Sequence, residues 1–263
     1  MFSFQNIKRK YPVNVIYSNT VDEDVQSMLF PLNLLQCIRF CPKYCIKNNV
    51  ITPNSVISYF VSMIATILFM FLFIFSTVDL NSDVYQHSPI TVAFYNFDFF
   101  DSIFYCLGFF INFVIGIIQT NNNVHFVLTF QKVHRFLSKE PRVKNFIIWN
   151  WILGVLNLGF YFIIYTYLQT KIGIPFSSIA SCYLLIIFDF NILYAARIFK
   201  LLECKLRLWN SQVSNYRELG SHVENFYTKA FQAFANILES YNIHIVGFQL
   251  FVSLLLNNKY TTK

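Results

Sequence analysis

Asp189 is the most informative reactive side chain, because it is the single acid inside the apolar run Phe176–Ile198. A carboxylate held deep in a lipid-like medium costs about 2.5 kcal/mol or more, so it is expected to face a bundle interior, a water-filled cavity or a partner. Asn191 follows two residues later, and Asn112 and Asn157 lie at comparable depth in two other apolar runs. Two chemistries fit this group: contact with a ligand or ion, and an interhelical hydrogen bond with the carboxyl protonated. Tyr105, Tyr161, Tyr165, Tyr167 and Tyr183 add flat apolar faces with orienting hydroxyls. That mix suits a small-molecule pocket. Tyrosine is also enriched at membrane interfaces for reasons unrelated to ligands. On the pocket reading, Tyr105, Tyr161, Tyr165, Tyr183 and Asp189 are the candidate ligand contacts.

Catalytic chemistry has no comparable signal. The sequence contains no GxSxG, Gly-rich phosphate loop, HExxH or DFG-like element. His87, His125, His134, His222 and His244 are scattered, without the close pairs a di-iron oxidase needs. Cys37, Cys41 and Cys45 recur every four residues, which on a helix would align three thiols. Pro42 interrupts that helix, however, and no fourth ligand of zinc type is near. Packing, or lipidation beside a membrane, accounts for these cysteines better than a metal does. No catalytic residue, metal or cofactor is expected, and the chain reads as a non-enzyme.

The elements that position these residues follow from composition. Of 263 residues, 56% are apolar, 19% aromatic and only 13% charged. That excludes disorder, and leaves too few polar side chains to cover a soluble globule. A lipid-crossing helix needs about 20 mostly apolar residues. Four stretches qualify: 56–78, 102–120, 145–168 and 176–198. The first opens at Thr52-Pro53-Asn54-Ser55, where Thr52 is expected to cap and Pro53 to enter the first turn. A fifth stretch, Ile243–Leu256, is short and reads as an incomplete span. Phe69-Met70-Phe71-Leu72-Phe73-Ile74-Phe75 lacks the alternation of a barrel strand. The fold class is therefore all-α, a multi-pass transmembrane helical bundle.

Charge sets the expected orientation. Residues 1–55 carry six Lys or Arg, 79–101 none, 121–144 five, 169–175 one and 197–242 six. By the positive-inside rule the N-terminus, 121–144 and 199–242 are cytoplasmic. The domain plan is then a cytoplasmic segment 1–55, a bundle over 56–198, a cytoplasmic helical region 199–242, and an incomplete span with its tail at 243–263. Within the cytoplasmic parts, Asn123–Leu137 reads as a helix continuing the second span, and the fourth span projects through Trp209. Val223–Tyr241 keeps Phe226, Ala230, Phe231, Phe234 and Ile237 on one face. Such faces need either a partner surface, forming a helical platform, or an anionic lipid surface on which to lie.

Several segments resemble the insect gustatory receptor family, in particular its moth and butterfly branch. The resemblance rests on Pro31-Leu32-Asn33-Leu34-Leu35-Gln36, Phe40-Cys41-Pro42-Lys43-Tyr44 and Ile51-Thr52-Pro53-Asn54-Ser55. It continues through Ile237-Leu238-Glu239-Ser240-Tyr241 and Phe248-Gln249-Leu250, and covers residues 20–256. It implies a seven-span receptor with a cytoplasmic N-terminus in the plasma membrane, acting as a tetrameric ligand-gated cation channel for a small-molecule tastant. The pocket is then expected among the outer halves of the early spans, a cytoplasmic helical anchor joins the homo- or hetero-tetramer, and the last span lines the pore. The family's Thr-Tyr and Gln-Phe signature of the seventh span has no counterpart here, so the chain is expected to be a partial product lacking the pore span.

Two other readings stand beside this one. An insect olfactory receptor has the same expected topology. A small multipass transporter or accessory subunit is disfavoured by nearly unbroken spans, with only seven Gly and seven Pro in the chain. The net charge of +7 is distributed in blocks between apolar runs, which points to lipid rather than nucleic acid as the partner.

Overall fold

The computed structural model describes residues 19–82, 89–137, 143–167, 170–171, 176–217 and 224–257, without the side chains of 76–82, 89–102, 143, 176–189, 216–217, 224–225 and 246–257. Among the described residues the chain is mostly helical. The helices are α1 (Glu23–Ile38), α2 (Val56–Ser82), α3 (Pro89–Ile118), α4 (Thr120–Phe136), α5 (Val143–Tyr167), α6 (Phe176–Arg217) and α7 (Glu224–Asn257). A hairpin of β1 (Cys45–Lys47) and β2 (Val50–Thr52) lies between α1 and α2.

The turns explain the N-terminal segment. Asn48 and Asn49 both have positive φ, at 52° and 62°, and join strands whose register pairs Lys47 with Val50. This is the two-residue loop whose twist matches a hairpin, and Asn tolerates it. Helix α1 ends where Phe40 turns left-handed at φ 59°. The Cys41 N–H reaches Gln36 O and the Phe40 N–H reaches Cys37 O, satisfying the carbonyls at the helix end. The cap of α2 is Ser55, whose Oγ accepts from the Ser58 N–H at 3.2 Å. This corrects the expectation for Thr52, which is the last residue of β2. Asn54 Nδ2 donates to Pro42 O at 2.6 Å, tying the hairpin exit to the return from α1.

Helix α1 runs into the bundle alongside α5. Met28 O accepts from Asn150 Nδ2 at 3.3 Å, and the Phe30 and Trp151 rings lie 6.2 Å apart. Beyond the α1 turn, the Phe40 ring sits 6.4 Å from that of Phe69, about 20 Å along α2 from its first residue. Residues 19–55 thus enter the bundle and return.

Helices α3 and α4 meet at a 57° bend rather than forming one continuous rod. Thr120 Oγ1 donates to Gly116 O at 2.8 Å and accepts from Tyr59 OH at 2.8 Å. A hydroxyl bonded back to the preceding turn is a known cause of helix bending.

The ends of the bundle differ. One holds a dense core in which Val25, Val127, Phe130 and Ile198 are fully buried, drawn from α1, α4 and α6. Here α4 crosses α7 with His125 Nε2 2.9 Å from Glu239 Oε1, and Trp209 Nε1 donates to Ala230 O at 2.7 Å. The amphipathic faces expected to need a partner therefore pack in part on one another. The opposite end is apolar on the outside: Phe71 of α2 is 63% exposed, and Phe162 and Ile163 of α5 are 73% and 69% exposed. Among the described residues two helical stretches, Val56–Phe75 and Lys144–Tyr167, are long and apolar enough to cross a membrane, or three with the bent pair α3–α4. The side chains of 176–189 and 246–256, on which the fourth span and the fifth candidate partly rest, lie outside the described residues.

Candidate functional site

A ladder of carboxamides crosses the middle of the bundle. Gln36, at the end of α1, donates from Nε2 to Asn191 Oδ1 of α6 at 3.3 Å. Asn191 Nδ2 then donates to Asn112 Oδ1 of α3 at 3.0 Å. Gln36 and Asn112 are buried. A buried amide needs such a partner, since leaving one unpaired costs about 1–3 kcal/mol.

Two further polar joints tie α6 to its neighbours. The Arg39 guanidinium carbon lies 3.0 Å from the centre of the Phe190 ring, a cation held against an aromatic face. About two turns further along α6, Arg197 Nε donates to Asn150 Oδ1 and its Cζ sits 4.6 Å from the Phe146 ring centre.

Beside the ladder is a cavity of about 70 Å³. Its polar lining is Lys43, Asn112, Gln119, Asn122, Asn123 and Asn191, with Tyr194 and His244 among the walls. The return from α1 supplies Lys43, and the bend at Gln119 supplies the three amides of 119–123. Lys43 Nζ stands 6.0 Å from the Tyr194 ring centre. Burial lowers the Lys43 ammonium pKa from its usual range, with a small opposing effect from Cys41. The neighbouring Tyr44 is buried, its hydroxyl has no hydrogen-bond partner among the described residues, and burial pushes its pKa well up. The His244 ring packs 5.2 Å from Phe199, 5.8 Å from Tyr194 and 5.9 Å from Phe126.

The candidate ligand contacts fall in separate places. Tyr161 and Tyr165 stack on each other at 5.9 Å, packed with Leu35 and Phe190. Tyr105 is exposed on α3 and meets Phe73 of α2 edge-on at 6.2 Å. Tyr167, the further outer tyrosine, is also exposed. Tyr183 and Asp189 lie on α6, and their side chains lie outside the described residues. Of the asparagines expected to share one polar interior, Asn112 and Asn191 bond directly, whereas Asn157 lines an open apolar groove between α5 and α6. Among the described residues its Oδ1 has no hydrogen-bond partner there.

Sequence reasoning missed Gln36, Arg39 and Lys43 as interior residues. Their signal was present: three polar side chains within a stretch otherwise dominated by Leu, Phe, Ile and Cys. Counting the two cations toward a solvated loop concealed it. The chemistry offered by amides, an ammonium and aromatic rings is hydrogen bonding and charge solvation. Among the described residues no group of three His, Cys, Asp or Glu is placed to hold a metal ion. No family model, curated protein or solved structure matches the chain.

Proposed function

We propose that the chain is a subunit of a plasma-membrane chemosensory receptor of gustatory type, which binds a small-molecule tastant and acts in a ligand-gated cation channel. The observation that carries this reading is where the fold puts the residues behind the family resemblance. Gln36 begins the amide ladder, Lys43 lines the cavity, and Asn54 holds the return segment to Pro42. Within those motifs Gln36, Tyr44, Ile51 and Asn54 are buried, whereas Phe40, Thr52, Pro53 and Ser55 are exposed. The apolar outer faces of α2 and α5 supply the lipid contact, at about 25 cal/mol per Å² removed from water. On this reading the chain crosses the bilayer four times, a fifth span follows, the N-terminus is cytoplasmic, and α1 re-enters the membrane from that side. The Tyr161–Tyr165 stack and Asp189 are the ligand contacts to test first.

One feature favours a small transporter instead. The 57° bend stands next to a polar cavity, as broken helices do at many transport sites. A single assay separates the two. Cells displaying the chain at the surface are incubated with radiolabelled sugars, amino acids and alkaloids, and bound label is separated from label taken up. Saturable surface binding without uptake, weakened in Tyr161→Ala and Tyr165→Ala, supports the receptor. Time-dependent accumulation of one of the compounds supports the transporter, and surface-displayed chain that neither binds nor accumulates any of them rejects the receptor.

A further inference from the structure

We draw no further inference here: the strongest candidate, the open apolar groove between α5 and α6 that Asn157 lines, carries nothing because nothing in the structure shows what covers it.

Discussion

Leu35 of α1 closes directly on Gly154 of α5: a Cβ built on Gly154 would lie 2.9 Å from Leu35 Cδ1. Real Cβ contacts are not this short, so any side chain at 154 must move Leu35. The atom met is the far end of a flexible chain, and a methyl is absorbed by a small rotation. A larger group has to displace α1 itself. Gly154→Ala should therefore fold with near wild-type stability, while Gly154→Leu should cost about 1–3 kcal/mol by overpacking. Leu35→Ala should recover part of that loss in the double variant, a coupling of about 1 kcal/mol readable in a thermal double-mutant cycle. Purely additive effects would mean that α1 does not seat against α5.

Asn191 accepts from Gln36 and donates to Asn112, so it is the residue on which the ladder depends. Asn191→Leu strands a donor on one side and an acceptor on the other. Each orphan costs about 1–3 kcal/mol, so the variant should lose several degrees in thermal midpoint or fail to reach the surface. Asn112→Leu, which removes only one end, should cost less. Equal midpoints for wild type and Asn191→Leu would remove the ladder from the account.

Much of the fold was readable from the apolar runs. The spans expected at 56–78, 145–168 and 176–198 fall on α2, α5 and α6, and the projection through Trp209 continues to Arg217. The segments Val223–Tyr241 and Ile243–Leu256, read separately, are joined from Glu224 onward in the single helix α7, because no breaker separates them. The interior was less readable, for local reasons. Helix α1 over 23–38 was not expected at all; it forms with Pro31, which removes a backbone bond, buried inside it. The break between α3 and α4 turns on a threonine hydroxyl, which no periodicity reveals. The Asn48-Asn49 turn was a signal in plain view that composition alone did not flag. The site residues were legible by type but not by partner: Asn112 and Asn191 could be singled out as buried amides, whereas Gln36 required knowing where α1 goes.

Asp22, at the start of α1, forms a two-point ion pair with Arg135 of α4, with both contacts at 2.8 Å. The Arg135 hydrogen bond holds the Asp22 carboxyl below its ordinary value of 3.8. A depressed pKa contributes stability above the unfolded-state value, and that contribution is lost as pH falls through the folded-state value. Both side chains are partly solvated, so Asp22→Asn should cost only about 0.5–1 kcal/mol at pH 7. The gap between wild type and variant should close as the pH is taken from 5 to well below 3.8. A gap that stays constant across that range would show that the pair does not join α1 to α4.

The central claim is that α2 and α5 lie in a bilayer with residues 138–142 on the N-terminal, cytoplasmic side and residues 83–88 on the other. Glycosylation mapping in microsomes tests it most directly, with an acceptor sequence engineered into one of these segments at a time. The account predicts modification at 83–88 and none at 138–142. Modification at 138–142, or a full chain recovered in the soluble fraction with neither segment modified, would contradict it.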